Sequence, residues 1–138
     1  MYEVTKSVSF DAAHVLDGSY SKECQNIHGH TYEMSMTFSS DHLDENGMVV
    51  DFKLIKELIE KIIDSYDHKL IMSEKYFRSN IQGRGLKVGE YVIVKFNPTA
   101  ENMAKDTFDR IKKYTSVGDN LVSVTIRETP NSFATYRG

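Results

Sequence analysis

A single cysteine, Cys24, in a chain of 138 residues excludes an intramolecular disulfide. No apolar run approaches the roughly 18 residues that a membrane-spanning helix needs. The opening stretch Met1-Tyr2-Glu3-Val4-Thr5-Lys6 also lacks the apolar centre of a secretion signal. Basic residues are not in excess: 17 Lys and Arg against 20 Asp and Glu leave a net charge of -3, which argues against a nucleic-acid partner. Internal repeats, low-complexity tracts and linkers are missing as well. These absences predict one reduced, cytoplasmic domain over residues 1–138, with no membrane or nucleic-acid partner and enough chain to bury a core without staples.

What is present centres on Cys24-Gln25-Asn26-Ile27-His28-Gly29-His30. In a strand, residues i and i+2 share a face about 6.5 Å apart, so His28 and His30 can reach one ion. Gly29 leaves the other face bare for close approach by a backbone or a ligand. Val8, Phe10, Ala12 and His14 fall on one parity of a first strand over Tyr2 to His14. His14 alone reads as a core histidine satisfied by a carbonyl; beside His28 and His30 it becomes a third ligand. The lone cysteine is either an inert buried thiol or, with those neighbours, a reactive one.

A second strand, from about Ile27 to Phe38, carries His28, His30, Tyr32, Met34, Met36 and Phe38 on one face. Asp51 then predicts an N-cap for a helix to Asp64 or Tyr66, with Phe52, Ile55, Ile59, Ile62 and Ile63 as its apolar stripe. Asp67-His68 follows. It is either a histidine at a helix C-terminus or a carboxylate–imidazole pair for proton transfer.

Residues 73–96 read as an irregular excursion or hairpin, with Tyr91 to Phe96 as a short strand that forms its return arm. Asn97 or Thr99 caps a second helix whose buried side is Met103, Ala104, Phe108, Ile111 and Tyr114. A closing hairpin over Leu121 to Arg137 places Glu128 in line with Val122, Val124 and Ile126, either at an exposed strand end or in a pocket where a ligand supplies donors. The expected architecture is α+β: a four-stranded antiparallel sheet with two helices on one face, in the order β-β-α-α-β-β, plus the excursion at about 73–96. Its exposed edges invite assembly.

Together, His14 in Phe10-Asp11-Ala12-Ala13-His14, the Cys24-to-His30 run, Asp67-His68, Pro98-Thr99-Ala100-Glu101-Asn102 and Glu128-Thr129 with Ala134-Thr135-Tyr136-Arg137-Gly138 resemble the 6-pyruvoyltetrahydropterin and 6-carboxytetrahydropterin synthase family. The resemblance implies a tunnelling fold, assembled as a homohexamer of two trimers with active sites between subunits. It implies zinc on His14, His28 and His30, Cys24 as the catalytic thiol, and Asp67 and His68 as the proton relay. Glu128 would anchor the pterin, and Thr99 and Glu101 would line the same pocket. Three residues between the cysteine and His-Gly-His are similar to the bacterial 6-carboxy enzymes of queuosine biosynthesis. These convert 7,8-dihydroneopterin triphosphate to 6-carboxytetrahydropterin, acetaldehyde and triphosphate. The alternatives are 6-pyruvoyltetrahydropterin synthesis and, outside enzymes, a zinc-stabilised binding module in which Cys24 closes the site as a fourth ligand.

Overall fold

Two long strands, β1 (Tyr2–His14) and β2 (His28–Ser40), pair antiparallel along their whole length in the computed structural model, which describes residues 1–18 and 25–138 and, at Thr115, the backbone alone. Cys24 lies outside the described residues. The alternation expected from the sequence is present: Phe10, Ala12 and His14 of β1 and Tyr32, Met34, Met36 and Phe38 of β2 are buried on one face. The register sets His14 opposite His28 and Ala12 opposite His30. Slipping it by one residue would turn the histidines to the other face, and the buried aromatic and methionine side chains behind them oppose that slip.

The sheet differs from the expected one. Among the described residues it has six strands in the order β4-β3-β1-β2-β5-β6, with β3 (Leu70–Ser73) parallel to β1, β4 (Tyr91–Val94) parallel to β3, and β5 (Leu121–Thr129) and β6 (Ser132–Arg137) beyond β2. Tyr91 to Val94 is therefore not the return arm of a hairpin. All four residues of β3 are buried, Ile71 in the main core and Leu70 and Met72 in a second cluster with Val15, so it shows no alternation to read. The excursion resolves into that strand, helix α2 (Glu74–Asn80) and β4. Ser73 caps α2 by accepting from Tyr76 N–H at 3.0 Å, and Tyr76 and Phe77 pack on the second cluster.

Among the described residues, four helices and a 3-10 turn replace the expected two helices. Asp51 caps the turn Phe52–Leu54, its carboxylate accepting from Lys53 N–H at 2.9 Å, and α1 (Lys56–Tyr66) begins beyond the buried Ile55. Helix α1 buries Leu58, Ile59, Ile62 and Tyr66, while α3 (Ala100–Lys112) buries Met103, Ala104, Phe108 and Ile111. Both cover the face that carries the histidines, as expected, whereas α2 packs on the other side of β3. Tyr114 is exposed, because α3 ends at Lys112 and the short α4 (Thr115–Gly118) brings Val117 inward instead. Strands β5 (Leu121–Thr129) and β6 (Ser132–Arg137) close the sheet. Among the described residues no helix is long and apolar enough to cross a membrane.

Candidate active site

His14, His28 and His30 stand at the end of the buried row, and their three candidate ligand nitrogens lie within 4.8 Å of one another. Two of the rings are oriented from behind. Nδ1 of His14 lies 2.8 Å from the Pro98 carbonyl, and Nδ1 of His28 lies 2.7 Å from the Asn26 carbonyl. A carbonyl only accepts, so both Nδ1 atoms carry the proton and both Nε2 atoms present lone pairs when the rings are neutral. Those two Nε2 atoms are 2.9 Å apart. Nε2 of His30 is buried with no hydrogen-bond partner among the described residues.

Three converging lone pairs, two of them fixed by carbonyls, form a donor set suited to a cation. Tetrahedral Zn²⁺ with bonds of about 2.0–2.1 Å separates its nitrogens by about 3.4 Å. Burial holds the His14 imidazole down at about 4, against the raising effect of the Pro98 carbonyl and with the help of the two neighbouring imidazoles. His30 is lowered too, first by burial, while the negative charge of Glu128 opposes the shift. Neutral rings are the form that binds metal.

Glu128 is half-buried and falls at a register shift between Arg127 and Thr129. It shares the parity of the buried Val124 and Ile126, and its charge is felt by His30 and Tyr32. The Tyr32 hydroxyl is buried without a hydrogen-bond partner among the described residues, and burial pushes its ionisation up.

Asp67 and His68 are paired as the sequence suggests, Oδ1 to Nδ1 at 3.0 Å. Asp67 leaves α1 in an extended conformation, and His68 adopts a left-handed φ of 57°, unusual for a residue with a Cβ. Strand β1 holds both: Asp11 N–H donates to Asp67 Oδ1 at 3.0 Å, and His68 N–H donates to the Asp11 carbonyl at 2.6 Å. The Asp11 N–H and the His68 ring keep the Asp67 carboxyl below its usual range, while Asp67 raises His68.

The pair groups with Asp11, as a cluster separate from the three histidines. Asp11 and Thr31, hydrogen-bonded at 2.6 Å, mark the opposite face of the strand pair, where His68 borders a cavity of about 790 Å³ with Gly29, Lys69, Lys87 and Glu90. His30 also borders it. Gly29 thus leaves open the face that the sequence suggested. Thr99 is the N-cap of α3, accepting from Asn102 N–H at 3.2 Å, and Glu101 is exposed on its first turn. Thr99 directly follows Pro98, whose carbonyl reaches His14. The sequence reading had no means of finding the Pro98 carbonyl or the Asp11 backbone, because main-chain groups carry no residue signature.

The sequence pattern of the 6-pyruvoyl tetrahydropterin synthase family matches residues 3–138. A 6-carboxy-5,6,7,8-tetrahydropterin synthase of Haemophilus influenzae is 38% identical over 144 residues, covering 99% of both chains. The enzyme of that name from Bacillus subtilis is 31% identical over 139 residues, covering 99% of this chain and 85% of its own. The 6-pyruvoyl tetrahydropterin synthase of Caenorhabditis elegans superposes with a TM-score of 0.73 at 25% identity, covering 99% of this chain and 95% of its own.

Proposed function

Because the chain belongs to the 6-pyruvoyl tetrahydropterin synthase family, we propose that it is a zinc-dependent 6-carboxy-5,6,7,8-tetrahydropterin synthase, a lyase acting on 7,8-dihydroneopterin triphosphate in queuosine biosynthesis. The observation that carries the pterin reading is the convergence of the three imidazoles beside Glu128, in a chain matched end to end by pterin synthases. The choice of a 6-carboxy product rests on the curated relatives of that name at 31–38% identity. The three residues between Cys24 and His28 support the same choice.

His14, His28 and His30 would hold zinc, which supplies Lewis acidity toward the hydroxyl groups of the substrate side chain. The carbonyls of Pro98 and Asn26 keep two of the imidazoles in the tautomer that leaves Nε2 free. Glu128 accepts from the guanidine-like edge of the pterin and so sets which end of the substrate meets the triad. Cys24 would take a proton from the substrate side chain as its thiolate. His68 moves a proton at the opposite side of the substrate, Asp67 orienting its ring through Nδ1. Triphosphate leaves by elimination, and one water then adds at the side-chain carbon next to the ring, so that the carbon–carbon bond beyond it breaks to give the 6-carboxylate and acetaldehyde.

The relay pair and the triad lie on opposite faces of β1 and β2, which favours a site completed across subunits: the His68 face of one chain set against the triad of another. A homohexamer in the cytoplasm is the proposed working form. Mass spectrometry of the product, with an acetaldehyde assay, tests the activity. A 6-carboxy product with one equivalent of acetaldehyde is expected; a pyruvoyl product without acetaldehyde would replace this reading with 6-pyruvoyltetrahydropterin synthesis.

A further inference from the structure

Asn97 makes contacts that helix capping does not explain. The cap of α3 is Thr99, yet the Asn97 carboxamide reaches back to the loop that leaves β1. Its Oδ1 accepts from Asp17 N–H at 2.8 Å, and its Nδ2 donates to the Asp17 carbonyl at 3.2 Å. One side chain thereby satisfies both backbone groups of one residue, 80 positions away in sequence. The Asn97 carbonyl accepts from Asn102 Nδ2 at 2.9 Å and from Thr99 N–H at 2.7 Å, so its backbone is also held.

The next residue is Pro98, whose carbonyl orients His14. His14 and Asp17 are the two ends of a short segment leaving β1, and Pro98 and Asn97 are the adjacent residues that grip those ends. Val15 N–H donates to the Ile71 carbonyl at 3.3 Å within the segment, and the Ser73 hydroxyl donates to the Asp17 carboxylate beyond it. Proline also restricts the preceding residue to extended backbone, which pre-sets Asn97 for its reach.

We propose that Asn97 is a positioning residue for the histidine triad: by gripping both backbone groups of Asp17 it keeps the Pro98 carbonyl against Nδ1 of His14. This deepens the zinc reading above and rests on it. Asparagine suits the position because it offers one donor and one acceptor on a short stem; aspartate loses the donor, and alanine loses both. With the grip gone, the Pro98 carbonyl is free to drift and the buried Nδ1–H of His14 loses its acceptor. Outer hydrogen bonds of this kind are worth about 10–100-fold in metal affinity.

The test compares wild type, Asn97→Asp and Asn97→Ala as full chains stripped of metal. Zinc affinity is measured by competition with a chromophoric chelator, the visible spectrum is recorded with Co²⁺, and thermal melting of the metal-free proteins is followed in parallel. Zinc affinity is expected to fall about 10–100-fold in Asn97→Ala, with an altered Co²⁺ spectrum and Asn97→Asp in between. Unchanged affinity and spectrum in Asn97→Ala would overturn the proposal, and a lowered melting temperature alongside them would make Asn97 a loop brace only. If Asn97→Ala does not fold, Asn97→Asp and Asn97→Ser carry the same comparison. Wild type that takes up no zinc would instead remove the metal reading itself, and this inference with it.

Discussion

At the scale of single residues, each candidate group is defined by what its second polar atom touches. His14 and His28 spend Nδ1 on carbonyls and keep Nε2 for a ligand. In the proposed reaction the role of Cys24 is separable from metal binding, so Cys24→Ala is expected to retain zinc while losing turnover by at least about 100-fold. Metal analysis beside steady-state kinetics checks this, and loss of zinc on that change would favour the binding-module alternative with the thiolate as fourth ligand. Asp67 and His68 make a prediction about pH. Asp67 raises His68 above its ordinary 6.5, so their attraction is fully present below 6.5 and is lost as pH rises through the raised value. For Asp67, lowered from 3.8, the favourable state is present above 3.8 and is lost as pH falls through the lowered value. Asp67→Asn is expected to move the His68 titration midpoint downward, measured by NMR on the metal-free protein. An unmoved midpoint would show that the pair does not act as a unit.

At the scale of elements, the β1–β2 register does most to build the site. It was readable because one face of each strand is apolar, and period-2 alternation leaves few choices of pairing. Strand β3 was not readable: buried on both faces and only four residues long, it has no period to detect. The same scale separates two readings of Thr99. Its hydroxyl is committed to the α3 cap, so Thr99→Ala is expected to cost about 1 kcal/mol of stability in urea unfolding while leaving KM for the pterin within about twofold. A large rise in KM at unchanged stability would return Thr99 to the pocket lining suggested by the family resemblance.

At the scale of the whole molecule, the proposed reaction needs both the three histidines and the Asp67–His68 pair, which group on opposite faces of β1 and β2, and the proposed assembly sets two such faces together. Co-refolding Cys24→Ala with His68→Ala is then expected to restore activity, up to about a quarter of the sites when random mixing places an intact Cys24 of one chain against an intact His68 of another. No recovery from two well-folded, assembled variants would confine each site to a single chain. Light scattering should find the wild type at six times the 15.8 kDa chain mass. The long β1 edge supports such assembly: β3 pairs with it only at Ala13 and His14, which leaves most of that edge without a strand partner among the described residues.

The sequence by itself determined the residue types, the parity that turns His14, His28 and His30 to one side, and the adjacency of Asp67 to His68. These follow from local periodicity and from spacing within a few residues. Tertiary structure alone decided that His14 lies opposite His28, that Pro98 and Asn26 supply the orienting carbonyls, that Glu128 sits at a register shift, and that Asp67 and His68 group with Asp11 instead of with the three histidines. The reason is physical. Backbone groups are the same in every residue, so which carbonyl meets which imidazole is settled only when distant segments pack, and Asn97 holding Asp17 across 80 positions is the plainest instance.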